Sequence, residues 1–185
     1  MLLRQVSVLT AVLAPLLSFA TEYRHPDRNF VFQYDESRWE IIAPTERQTR
    51  GGEPVDRAMA SMTLVNLQRK QPDDKYHARF SVVVDSTKKF SGGVEEQFTA
   101  YQKHATEFLK NQRFHILSTA PKRLPKLGPP AFEIVANQRD FGLKFRQIIF
   151  LKEGEAHLLT AAARTAKFVD YEKEIQGFFD SFQFQ

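Results

Sequence analysis

Residues 143–163, LKFRQIIFLKEGEAHLLTAAA, contain two apolar runs separated by a short polar turn. In the first run, Leu143–Lys152, side chains at alternate positions share one face, as in a β-strand. Residues 153–155 form the turn, and His157–Ala163 is the second strand. A turn this short joins antiparallel neighbours, and Ala131–Asn137 supplies a third strand before them. The segment therefore predicts a β-meander.

Five further segments are rich in aromatic and β-branched residues and end at turn residues, which is typical of strands. The polar stretch Thr21–Asn29 is expected to be an irregular lead-in. Pro44–Arg57 has glycines and prolines but no apolar period, so we expect a loop there, and Pro121–Pro130 is expected to be a rigid connection. The five predicted strands are Phe30–Tyr34, Trp39–Ala43, Ala60–Leu67, His77–Asp85 and Phe114–Ser118.

The apolar period changes from two to that of an α-helix in two places. The first predicted helix begins at Val94, runs for about five turns and has Lys110 in its last turn, matching the helix dipole. The second runs from Lys167 to about Phe182. The two apolar faces are Val94, Phe98, Tyr101, Ala105, Phe108 and Leu109 in the first helix, and Phe168, Tyr171, Ile175, Phe178, Phe179 and Phe182 in the second.

Together these elements predict an α+β fold. One mostly antiparallel sheet flanked by two helices, an α/β/α sandwich, satisfies both periodicities. The length of the chain fits one domain, and no linker or repeat interrupts it. We therefore expect residues 21–185 to form a single domain.

The first twenty residues have the pattern of a cleaved signal peptide. Arg4 supplies a positive start, Val6–Leu17 is mostly apolar, and residues 18–20, SFA, place small side chains before a cleavage point. The apolar stretch is shorter than the roughly 20 residues of a membrane span. An uncleaved anchor or a buried helix is the alternative. We expect export to the bacterial periplasm, with no transmembrane segment after cleavage.

The composition excludes several function classes. The chain has no cysteine, which excludes disulfide scaffolds, thiolate-bound metals and a thiol nucleophile. Its net charge of +4 is too small to indicate nucleic-acid binding. Seventeen phenylalanines are the most prominent feature. Their helical and strand spacing predicts that they fill the core, while the alternative is an aromatic cavity for an apolar ligand.

Motifs that carry chemistry are missing from the sequence. The five histidines have no metal-ligand spacing, and there is no nucleophile elbow or phosphate-binding glycine loop. The acidic pairs at residues 73–74, 95–96 and 172/174 have ordinary turn or helix positions. We therefore expect no catalytic residues, no metal and no cofactor. A hydrolase built from sequence-distant histidines and carboxylates is the less favoured reading.

Five basic residues form a candidate surface patch. Three lie in or near the proline-rich connection, and two share a face of the strand that follows it. If the connection folded over that strand, the patch would fit an acidic partner or anionic headgroups. The alternative is a solvated turn beside a solvated strand. The five residues are Lys122, Arg123, Lys126, Lys144 and Arg146.

The order of elements resembles the PsbP-like domain family. Residues 29–34, NFVFQY, followed by Trp39, are similar to the family's first strand and the Trp that begins its second. Residues 146–150, RQIIF, with Gly154 and residues 157–161, HLLTA, resemble its penultimate hairpin. Phe168 through residues 181–184, SFQF, resembles its closing helix. The family commonly has a proline in the turn where this chain has Asp35.

The resemblance implies an α/β/α sandwich and a binding or accessory role, because the family's members share no reaction. They include an extrinsic photosystem subunit, the bacterial envelope protein DcrB and a eukaryotic branch that binds a small GTPase. The bacterial signal pattern favours the DcrB-like envelope branch. We therefore expect a non-enzymatic accessory protein that meets an envelope protein through its surface. The alternative is a carrier of a small apolar or anionic ligand.

Overall fold

The computed structural model describes residues 20–42, 62–73 and 75–185. The predicted loop Pro44–Arg57 lies outside the described residues, as does the predicted signal peptide apart from Ala20. The described chain forms ten strands and two α-helices. In order they are β1 (Thr21–Arg24), β2 (Phe30–Tyr34), β3 (Trp39–Ile42), β4 (Met62–Arg69), β5 (Arg79–Ser86), α1 (Val94–Asn111), β6 (His115–Lys122), β7 (Ala131–Gln138), β8 (Leu143–Lys152), β9 (Glu155–Arg164), α2 (Glu172–Ser181) and β10 (Gln183–Phe184).

Seven strands form the large sheet, in the order β3-β4-β5-β9-β8-β7-β6, and every described pair is antiparallel. The predicted β-meander is confirmed as β7-β8-β9. Its second turn contains only Glu153 (φ 54°) and Gly154 (φ 77°). Two successive residues with positive φ make the primed turn that matches strand twist. The meander therefore has one register, with Lys152 opposite Glu155.

The predicted α/β/α sandwich around one sheet is wrong. The described chain is mostly β, with two antiparallel sheets and two helices, of 18 and 10 residues. The second sheet has three strands in the order β1-β2-β10. It lies with α2 against one face of the large sheet, so that face is covered by strands as well as by a helix.

The sequence does not predict the small sheet because the outer strands of this sheet are short. Thr21–Arg24, expected to be irregular, pairs with β2 with Thr21 opposite Tyr34. At the other end, Phe182 leaves the helix with φ −65° and ψ 128°, and Gln183 and Phe184 pair with Val31 and Phe30. A strand of two residues shows no period. The pairing of β2 with the ends of the chain is decided by tertiary packing.

An aromatic core lies between the two sheets and α2. Phe80 and Phe178 stack with their ring centroids 4.7 Å apart, and the ring of Trp39 stands perpendicular to Phe178 at 5.0 Å. All six apolar residues predicted for the second helix are buried, but α2 begins only at Glu172, so that Phe168 and Tyr171 lie before it and Phe182 after it. Fully buried phenylalanines each contribute about 2–3 kcal/mol by removing apolar area from water. They are Phe30, Phe32, Phe80, Phe150, Phe179 and Phe182.

A second, smaller core lies on the other face of the large sheet, beneath α1. The predicted helix from Val94 is confirmed. At its N-terminus, the Gly93 N–H donates a hydrogen bond to Glu96 Oε2 at 2.8 Å. Tyr101, Ala105 and Leu109 are buried against the sheet. Two members of the predicted apolar face are exposed instead, Val94 by 72% and Phe108 by 46%. The apolar face predicted for α1 is therefore only partly buried against the sheet.

His157 lies where β10 packs on the large sheet. Its ring stacks on Phe150 at 5.2 Å and meets the edge of Phe184 at 5.2 Å. The side chain is buried, and Nδ1 has no hydrogen-bond partner among the described residues. Burial lowers the pKa of His157 from 6.5 to about 4. The neutral ring is therefore part of the packing between the two sheets.

Acid should weaken this packing. Because the folded pKa of His157 is below its unfolded value of 6.5, the unfolded chain binds the proton more readily. Its contribution to the free energy of unfolding is present above pH 6.5 and falls by about 3 kcal/mol by pH 4. Urea denaturation at several pH values measures this. His157→Leu should flatten the decline, and His115→Gln, at an exposed position, should leave it as in the wild type. Equal slopes for all three proteins would contradict the assignment.

Candidate functional site

An open groove of about 390 Å³ lies between α1 and the large sheet. Its floor comes from β5, β8 and β9, and its roof from one side of α1. The helix packs on β6 and β8 and so leaves the β5 and β9 side of this face less covered. The groove is the space left by that offset.

A polar row crosses the floor of the groove. Ser81 on β5 is opposite Thr160 on β9, and Thr160 is opposite Gln147 on β8. The Gln147 Nε2 group donates to Thr160 Oγ1 at 3.0 Å, although Gln147 is only 7% exposed. Uncharged hydroxyl and amide groups at the centre of a sheet are costly unless they are hydrogen-bonded. Their alignment therefore gives the floor a hydrogen-bonding band inside an apolar surface.

Apolar side chains flank the polar row on both sides. Val83 is opposite Leu158 in the neighbouring row, and Phe145 lies two residues from Gln147 on the same face of β8. Phe145 packs against Phe114, with the ring centroids 5.5 Å apart. The roof adds Ala105, Phe108 and Leu109 from α1.

Charged and titratable groups are confined to one end of the groove, which we call the mouth: Asp85, Lys89, Tyr101 and His104. The Tyr101 hydroxyl donates to Asp85 Oδ2 at 2.9 Å, and burial, with the adjacent Asp85 charge, raises the pKa of Tyr101. The Lys89 ammonium lies 2.9 Å from His104 Nε2. Burial, followed by the charge of Lys89, lowers the pKa of His104. At neutral pH the mouth therefore carries one ammonium and one carboxylate.

The predicted basic patch is not assembled by the structure. Arg146 is buried, with Nη2 2.7 Å from Glu133 Oε1 and 2.8 Å from Gln176 Oε1, and its guanidinium lies over the Phe179 ring. Lys122 lies 3.9 Å from the same Glu133 oxygen. These two basic residues therefore neutralise an internal carboxylate.

The other three basic residues are elsewhere. Lys144 lies over the ring of Phe168 at 4.8 Å, while Arg123 and Lys126 are exposed. Lys122 is in register with Phe150, six residues from Lys144 along β8, a separation of about 20 Å. Strand alternation puts Lys144 and Arg146 on the face of β8 that lies opposite its predicted apolar face. In the structure α2 covers this other face, so it is also internal.

The histidines do not form a common site. His115 is exposed on β6, His77 Nδ1 lies 2.6 Å from the Arg69 carbonyl oxygen, and His25 Nδ1 accepts from the Asp27 amide. Within the described ranges, no group of three histidine or acidic side chains could hold a metal ion. The expectations of no metal, no cofactor and no catalytic residue stay predictions.

One acidic residue that the sequence placed on a solvated helix face has a structural role. Glu174 accepts from the Trp39 indole at 2.7 Å, lies 3.2 Å from Arg69 and forms an ion pair with Arg38. It joins α2 to β3 and β4. The sequence did not indicate the groove residues for another reason. Ser81, Gln147 and Thr160 lie in three separate predicted strands, and only the strand register aligns them.

Comparisons with known proteins identify the fold. No family model matches the chain, and no curated protein matches it. It is similar to the solution structure of cyanobacterial PsbP (CyanoP) from Synechocystis sp. PCC 6803, with a TM-score of 0.57 and 8% identity, over 97% of this chain and 99% of that one. A Pseudomonas aeruginosa protein of unknown function, PA94, matches with a TM-score of 0.47 and 13% identity, over 83% and 89% of the two chains.

The chain therefore has a PsbP-like fold, as the resemblance implied. Among the described residues, no helix is long and apolar enough to cross a membrane.

The internal position of Arg146 can be tested by stability. Arg146→Met should lower the free energy of unfolding by about 3 kcal/mol, because Glu133 loses its closest cation inside the fold. Lys126→Met, which removes an exposed charge, should stay within about 0.5 kcal/mol of the wild type. Chemical denaturation gives both values. Equally small effects would favour a surface role for Arg146.

Proposed function

We propose that the protein is an exported, periplasmic binding protein that acts without catalysis and holds a small molecule in the groove beneath α1. The proposal develops the alternative that the protein carries a small apolar or anionic ligand. It keeps the expectation of an accessory protein of the bacterial envelope, in the DcrB-like branch of the resemblance.

The observation that carries the proposal is the polar row on the floor of the groove. A sheet face used only for packing has no need of Ser81, Thr160 and Gln147 side by side at its centre. Small-molecule sites are mostly apolar concavities of about 300–1,000 Å³ with a few convergent polar groups. The groove has about 390 Å³, apolar flanks and this single polar band.

The hydrogen bonds of the groove support binding over catalysis. In the described part of the chain, they join Tyr101 to Asp85 and Gln147 to Thr160, and Lys89 lies beside His104. Nucleophilic catalysis needs a hydroxyl hydrogen-bonded to a base. The Tyr101 hydroxyl is bound to the Asp85 carboxylate, but burial raises the pKa of Tyr101, which keeps this hydroxyl protonated. No described hydrogen bond links a hydroxyl of the polar row to a histidine or carboxylate. The row is therefore equipped to bind a polar group.

A protein partner in the envelope stays a prediction. The large apolar side chains that are exposed among the described residues lie on four elements and in two connecting segments: Ile41, Met62, Val94, Phe108, Leu117, Phe141 and Val169. The groove, by contrast, brings apolar and polar groups together, Phe108 among them.

Ligand binding in the groove can be tested with decanediol, a neutral amphipathic probe. NMR titration of the wild type should give saturable shifts centred on Phe108, Phe145 and Leu158. Ser81→Phe should abolish them, because the added ring occupies the groove while phenylalanine remains a good strand residue. Ser118→Phe, on the exposed edge strand β6, is the matched control and should bind like the wild type. Unsaturable shifts in the wild type would refute the proposed site.

Export has its own test. Expressed with its own N-terminus in a Gram-negative host, the chain should appear in the periplasmic fraction with Thr21 as its first residue. Replacing Ala20 with Arg should block cleavage, because signal peptidase requires a small side chain there. Recovery of the uncleaved wild-type chain in the cytoplasm would refute export.

A further inference from the structure

We propose that the ligand of the α1 groove is a single-chain, medium-length monocarboxylate with an uncharged hydroxyl or carbonyl group at the far end of its apolar body. Its carboxylate would bind Lys89 at the mouth, and its far polar group would meet the polar row. This inference rests on the proposed function, because it names the class of molecule that the same groove accepts.

The charges at the mouth favour a monoanionic headgroup. The Asp85 carboxylate accepts a hydrogen bond from Tyr101, whereas the Lys89 ammonium contacts the neutral His104 ring and the face of Phe90, 5.1 Å away. Among the described residues, no carboxylate forms an ion pair with Lys89. An ammonium at the rim of an apolar groove that is not in a direct ion pair favours an anionic headgroup. The adjacent Asp85 charge disfavours a second negative charge, so the headgroup is a monoanion.

Hydrogen bonds and ring packing hold the backbone around Lys89 in place. Thr87 is buried, and its hydroxyl donates to the Gly154 carbonyl oxygen at 2.7 Å. The Phe90 amide donates to the Thr87 carbonyl oxygen at 2.9 Å, and the Phe90 ring packs on Tyr101 and His104. The turn that carries Lys89 is thus fixed to both the β8–β9 turn and α1. A fixed turn reduces the ordering cost of binding.

The side chains on one face of β5 change in character from the mouth inward. Asp85, Val83 and Ser81 lie on one face, in that order from the mouth inward. Val83 is beside Leu158, and Ser81 is beside Thr160. From the mouth inward, the groove therefore has a charged end, an apolar stretch and then the polar row, with Phe145 beyond it. Asp85 and Ser81 are four residues apart, which is about 13 Å along a strand.

The size of the groove limits the ligand to one chain. A volume of about 390 Å³ is in the lower part of the range for small-molecule sites and is too small for a two-chain lipid. The three zones and this volume fit an ω-hydroxy fatty acid of medium length.

Four probes of equal chain length separate the contributions: ω-hydroxydecanoate, decanoate, decanediol and ω-aminodecanol. Isothermal titration at low ionic strength should rank ω-hydroxydecanoate first. We expect it to bind about tenfold more tightly than decanediol, the effect of one charge-assisted hydrogen bond. It should bind severalfold more tightly than decanoate, and the cationic ω-aminodecanol should bind most weakly.

Variants assign each preference to its residue. Lys89→Met should remove the advantage of ω-hydroxydecanoate over decanediol, whereas Lys88→Met, one position earlier in the same turn, should keep it. The double variant Ser81→Ala/Thr160→Val should remove only the advantage of ω-hydroxydecanoate over decanoate. Equal affinities for decanediol and ω-hydroxydecanoate, or equal effects of the two lysine variants, would overturn this inference and leave the groove as a binding site. Failure of all four probes to bind would overturn the proposed function as well.

Discussion

The two-residue turn between β8 and β9 fixes the register at the centre of the large sheet. Glu153 and Gly154 both have positive φ, so the chain reverses there without an extra residue. A slip of one residue would move Gln147 and Thr160 to the opposite face of the sheet. It would also carry buried Phe150 and Ile148 out of the aromatic core. The hydrophobic packing and the polar floor of the groove therefore depend on the same backbone constraint.

The two faces of the large sheet have different tasks. One is sealed by the small sheet and α2, with interlocking aromatic rings and the Glu174 contacts to Trp39 and Arg69. This face supplies most of the stability of a chain that has no cysteine for covalent cross-links. Because the aromatic face stabilises the fold, the α1 face can leave space beneath its helix. Polar groups that would weaken a core are tolerated there.

Long periodic segments could be predicted from the sequence, since local spacing determines their faces. The meander at residues 131–163, the buried apolar residues near α2 and part of the apolar face of α1 follow from this spacing. Partners that are distant in sequence could not be predicted. Residues 183–184 join Phe30 and Val31 across almost the whole chain. Arg146 was misplaced because β8 is internal on both faces, so alternation did not separate inside from outside. The groove required the register of three strands, which no single segment contains.

The pairing of β10 with β2 has a consequence for the order of synthesis. Phe182 is fully buried beside Phe30 and Phe150, and the two residues after it close the small sheet. Phe30 and Phe150 are synthesised long before Phe182, so this core cannot be filled until residue 182 has left the ribosome. Until then, the large sheet exposes its aromatic face, and transiently exposed apolar surface of this kind makes a nascent polypeptide prone to aggregation.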